Sequence, residues 1–86
     1  MEKRVYVIVS KKALIKECSK ILGVRKKKVE EWLRREWSCM EVEGNDKLFK
    51  CLISRTVRNG DVEEKIVNTP LATVLKRMGY EVIIPD

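Results

Sequence analysis

One stretch limits what this chain can fold into more than any other: Ser10 to Trp37, SKKALIKECSKILGVRKKKVEEWLRREW. Ala13, Leu14, Cys18, Ile21 and Leu22 recur at helical intervals, and so do Val29, Trp32, Leu33 and Trp37. Such spacing gathers each set on one side of a helix. Gly23 stands between the two sets. Glycine adopts the positive backbone dihedral that ends a helix without the strain other residues would meet there. The spacing therefore predicts two helices of about eleven residues each, meeting at the corner Leu22-Gly23-Val24 rather than running on as one rod. Ser10 is placed to cap the first helix. The second is expected from Arg25 to Glu36.

Ahead of this pair, VYVIV (Val5–Val9) is β-branched and apolar at consecutive positions, the pattern of a central strand buried on both faces. After it, strands are expected over Trp37–Val42, Leu48–Val57 and Val62–Asn68. Glu43-Gly44-Asn45-Asp46 joins the first two, and the hairpin signal Asn59-Gly60 joins the last two. Alternation puts Phe49, Cys51 and Ile53 on one face of the long strand and Leu48, Lys50 and Leu52 on the other. Thr69-Pro70 reads as a cap followed by a proline at the first helical position. Leu71, Val74, Leu75 and Met78 form that helix's stripe, and Gly79 ends it. Tyr80–Ile84 is expected as a last strand lying beside the first.

The corner at Gly23 resembles the helix-turn-helix of DNA-binding regulators, and with the following hairpin it resembles their winged-helix form. Ser19 at the small-residue position, Gly23 in the turn, Val24 after it, and Val29 and Trp32 as core positions carry the likeness, which spans residues 15–34. It implies that the second helix, 25–35, lies in a major groove. Arg25, Lys26 and Lys27 would then meet phosphates or base edges, and Lys11, Lys12 and Lys28 would hold the backbone. Arg55 and Arg58 on the long hairpin would serve as a wing. Arg34 and Glu30 complete the implied contact set. The chain departs from the pattern in two places. Arg25 stands where a serine or threonine often caps the second helix. Glu30 and Glu31 fall at groove-reading positions, where they either accept from a cytosine amino group or repel phosphate.

The expected fold is α+β in the order β-α-α-β-β-β-α-β, with a helix-turn-helix-like helical pair and an antiparallel meander, the helices covering one face. The alternative is a ferredoxin-like variant whose first helical segment is broken at Gly23. The order helix, three strands, helix also partly matches double-stranded RNA-binding modules. Eighty-six residues suit one domain, 1–86.

The net charge of +6 is lopsided. Residues 1–37 hold twelve Lys and Arg against five Glu, whereas residues 38–86 hold seven against eight acidic residues. A one-sided basic field attracts polyanions, with Arg25-Lys26-Lys27-Lys28 its densest run. Nucleic acid is the expected partner, duplex DNA before RNA, and a homodimer is an open option. The rival readings are an RNA-binding module and an oligomerising protein-interaction module. No leader or membrane span is expected, and an odd cysteine count fits a reducing, cytoplasmic setting.

Chemistry has little to work with. There is no histidine, hence neither the commonest general base nor the commonest metal ligand. Cys18, Cys39 and Cys51 lack paired metal-ligand spacing. Buried thiols are the default; the turn at Gly44 brings Cys39 and Cys51 onto neighbouring strands, and a disulfide between them is the lesser alternative. Glu63-x-Lys65 with Asp46 upstream faintly resembles the carboxylate and lysine set of a nuclease superfamily. No cofactor and no enzymatic activity are expected. Tyr6 and Phe49 would stack on bases if one sheet face were open, and pack beneath the helices otherwise.

Overall fold

The computed structural model describes residues 2–82. Ser10 closes the first strand, β1 (Glu2–Ser10), and opens the first helix, α1 (Lys11–Leu22). Its Oγ accepts a hydrogen bond from Ala13 N at 3.3 Å. Gly23, at φ 66°, ends α1 and donates its N–H to Ser19 O. The Ser19 hydroxyl then donates to Val24 O and fixes the corner. α2 (Lys26–Glu36) begins at Arg25 with no side-chain cap. There follow β2 (Met40–Val42), β3 (Asn45–Asn59), β4 (Val62–Val67) and α3 (Thr69–Arg77).

β3 is the axis of the sheet. β1 lies antiparallel along one edge, from Glu2 opposite Val57 to Ser10 opposite Leu48, with an irregularity at Val5/Tyr6. The other edge is shared. β2 pairs with the Asn45–Lys50 part and β4 with the Ser54–Asn59 part. Between them, Leu52 N donates to Trp37 O at 3.3 Å and Asn68 N donates to Ile53 O at 2.8 Å. Loop backbone thus satisfies polar groups that the gap between β2 and β4 would otherwise leave open.

The three helices share one core with the sheet. Val9, Phe49, Cys51 and Ile53 meet Leu14 and Cys18 of α1, Val29 and Leu33 of α2, and Leu71 and Leu75 of α3. Full burial of each large side chain here contributes about 1.5–3 kcal/mol. Among the described residues, no helix covers the opposite sheet face. Tyr6 and Ile8 of β1 pair with Leu52 and Lys50 on that face, and Ile8 is 58 % exposed.

The fold class is the expected α+β, with β-α-α-β-β-β-α over the described residues and an antiparallel meander beside the helical pair. The strand order β1-β3-β2 around two packed helices is consistent with a winged-helix-like topology, and equally with the split strand-helix-strand of the ferredoxin-like variant.

Several expectations need correction. The apolar run in β1 does not mark the centre of the sheet. β3 holds that place, and β1 is apolar on both faces although helices cover only one. Asn68, not Thr69, caps α3, its Oδ1 accepting from Leu71 N at 3.1 Å. Trp37 belongs to the end of α2, buried, and Ser38 turns the chain at φ 51°, so β2 starts only at Met40. Cys39 and Cys51 are joined by a disulfide, with their Cα atoms 4.1 Å apart, and only Cys18 remains a buried thiol. Tyr80–Val82 of the expected last strand carry no strand, though Tyr80 and Val82 lie against Val5–Val9. Ile83 and Ile84 lie outside the described residues. No described helix is long and apolar enough to cross a membrane.

Candidate nucleic-acid interface

α2 packs along Val29 and Leu33, a stripe that turns Lys27, Glu31 and Arg35 outward. The basic side of the helix is therefore its wet side. Lys26, Lys27 and Lys28 are all exposed.

Five lysines border one open groove of about 780 Å³: Lys11 and Lys12 from α1, Lys26 and Lys27 from α2, and Lys47 from β3. Two carboxylates, Glu30 and Asp46, lie among them. Three separate elements supply the cations. The β2–β3 turn brings Lys47 within reach of the helices. Gly44, at φ 82°, makes that turn, and Asn45 Oδ1 accepts from Lys47 N at 3.1 Å.

Part of this charge is neutralised from within. Lys11 Nζ lies 3.1 Å from Glu30 and 2.9 Å from Glu41, and Arg34 Nη2 lies 3.0 Å and 2.8 Å from the same two carboxylates. This ring of alternating charges sits on the buried ring of Phe49, with Lys11 at 5.4 Å and Arg34 at 5.2 Å from its centroid. Hydrogen bonds from Arg34 and then Lys11 hold the Glu30 carboxyl below its ordinary range. Lys11 and then Arg34 do the same for Glu41. Bonds to Glu41 and then Glu30 raise both Lys11 and Arg34. Glu30, which on sequence reads as a phosphate-repelling or cytosine-reading group, instead spends its acceptors on this ring.

Among the described residues, Lys12, Lys26, Lys27 and Lys47 have no acidic partner. Arg25 and Lys28 are exposed on α2 as well, but Lys28 faces a second depression on the other side of the helix. The expected wing residues lie elsewhere. Arg55 reaches Glu2 at 3.5 Å and Arg58 reaches Glu63 at 3.1 Å, both at the end of β3 far from the groove. The turn at Gly44, not Arg55 and Arg58, borders the groove beside α2, through Asp46 and Lys47. Lys47 is not in the contact set that the sequence implies; its signal is a base three residues after Gly44, beside a hairpin tip.

The faint nuclease set does not come together. Asp46 lies near the start of β3, whereas Glu63 lies on β4 opposite Arg58, near the far end of β3. Of the two aromatics considered for base stacking, Phe49 is in the core, while Tyr6 lies on the helix-free face with Lys50 Nζ 4.6 Å from its ring centroid. No protein-family model, curated protein or solved structure matches the chain.

Proposed function

We infer that this small α+β domain is a nucleic-acid-binding module that meets duplex DNA with α2 and the β2–β3 turn. One observation carries the reading: four lysines without acidic partners, drawn from α1, α2 and the turn, converge on a single groove. Such a cluster is held together against its own repulsion; a run of phosphates offsets that repulsion, and the cations condensed on the nucleic acid are released as the lysines replace them. Exposed Arg25 stands at the start of α2. Its N-terminus has no capping side chain and no acidic residue in the first turn, which leaves the positive end of the helix dipole free for an anion.

A salt-titrated binding measurement on duplex DNA, single-stranded DNA and structured RNA in parallel tests this. Duplex DNA is expected to bind most tightly, with affinity falling steeply as salt rises. Lys27→Ala and Lys47→Ala should each lower the slope of log affinity against log salt by about one. Lys76→Ala, on α3, should leave it unchanged. Slopes that ignore the groove variants would refute the assignment.

The helix-free sheet face supports a second reading, in which Tyr6, with Lys50 beside it, stacks on unpaired bases. Preference for single strands, abolished by Tyr6→Ala and untouched by Lys27→Ala, would select it over the first.

A further inference from the structure

The lysine groove runs directly into the ring of Lys11, Glu30, Arg34 and Glu41. Lys11 and Glu30 belong to both, since they border the groove and bond each other within the ring. Glu41 stands outside the groove's lining. It reaches in from β2, where it lies opposite Phe49 in the ladder, to 2.9 Å from Lys11 and 2.8 Å from Arg34. Each cation touches both carboxylates, so the ring carries no surplus charge. A carboxylate and a phosphate offer a cation the same thing, an anionic oxygen at hydrogen-bond distance. The ring already gives Lys11 and Arg34 what a nucleic acid would bring.

These pairs can be exchanged. The four side chains are 24–40 % exposed, and ion pairs this wet are weak and screened by salt. Phe49 lies buried beneath both cations, at 5.4 Å from Lys11 and 5.2 Å from Arg34. Its ring face keeps them seated at the edge of the groove when a carboxylate is lost. Each carboxylate removed leaves one cation uncompensated, and a phosphate that fills the vacancy releases one more counterion. We propose that Glu30 and Glu41 stand in for phosphate and thereby limit how tightly the groove holds nucleic acid. The proposal rests on the nucleic-acid reading of the groove and adds to it two residues that oppose binding. Glu41 is a positioning residue, acting through Lys11 and Arg34. Because the same carboxylates hold α1, α2 and β2 together, one substitution should tighten binding while weakening the fold.

The test titrates the full chain onto a mixed-sequence DNA duplex at several salt concentrations. Glu41→Gln should bind more tightly than the parent chain and steepen the slope of log affinity against log salt by about one. Its advantage should shrink by about threefold to fourfold between about 50 and about 200 mM salt. Glu63→Gln makes the same change of charge and also takes a carboxylate from an arginine, but near the far end of β3; it should leave the slope at the parent value. Adding Lys11→Ala to Glu41→Gln should return the slope to that of the parent. Should Glu41→Gln fail to fold, as read by far-ultraviolet dichroism, Glu30→Gln makes the same test. A parent chain without salt-dependent binding overturns the nucleic-acid reading and this proposal together. A parent chain that binds, with Glu41→Gln no tighter or with Glu63→Gln tighter by as much, overturns this proposal alone.

Discussion

Cys18 packs inside α1 at 2 % exposure, and burial pushes its thiol up from the ordinary 9.0 to about 11. The thiolate is the reactive form, so the folded protein should resist iodoacetamide at neutral pH and react only once urea exposes the site. Rapid alkylation of the native chain would show that the residue is not where the core puts it. The raised value also fixes a sign. Between 9.0 and 11 the unfolded chain gives up a proton that the folded chain keeps, so Cys18 makes stability fall as pH rises through that window. Glu30 is the contrasting residue. Its sequence neighbours, Lys26, Lys27 and Arg34, identify one cation in reach but not Lys11, which arrives from another helix. The Glu30–Arg34 pair joins positions four apart on α2; the rest of the ring depends on how α1 crosses α2, which no short window encodes.

The link between Cys39 and Cys51 ties the chain leaving α2 to the central strand across a sequence separation of 12. Closing a loop of that size removes unfolded-state freedom worth about 3 kcal/mol. The double variant Cys39→Ala, Cys51→Ala should lower stability by roughly that amount, seen as a drop in the urea midpoint, and excess reductant should reproduce the drop in the parent chain. Equal midpoints in all three would mean the sulfurs are unpaired. The elements themselves were largely readable because their boundaries are local. Ser10 caps, Gly23 turns and Asn59-Gly60 folds back, each through its own backbone preference. β1's position was not readable, because the apolar pattern of a strand does not say which neighbours it acquires. The approach of Cys39 to Cys51 was legible from the turn at Gly44, but not that the two sulfurs bond. The bond follows from Trp37 and Ser38 delaying the start of β2, and that delay comes from the buried end of α2 rather than from strand propensity.

For the whole molecule, the ring of Lys11, Glu30, Arg34 and Glu41 clamps α1, α2 and β2 together over Phe49. Both carboxyls are held below the ordinary 4.5 in the folded state. Their contribution is therefore present above that value and lost as pH falls through the lower folded values. The urea midpoint should decline on acidification from about pH 6 to about pH 3, and Glu41→Gln should flatten that decline. An unchanged profile in the variant would mean that the ring contributes nothing to the fold. The ring also withdraws Lys11 from the groove's net charge, leaving Lys12, Lys26, Lys27 and Lys47 as its cations without acidic partners among the described residues. A last consequence follows from the pairing of β1 with β3. The nearest pair in that ladder, Ser10 and Leu48, already encloses both helices, so the ladder closes late and at a large entropic cost. During synthesis, VYVIV leaves the ribosome well before β3 exists and spends that interval as a sticky, partnerless segment. Lys3 and Arg4 stand on one flank and Lys11 and Lys12 on the other, charges of the kind that disfavour strand-to-strand association of neighbouring chains.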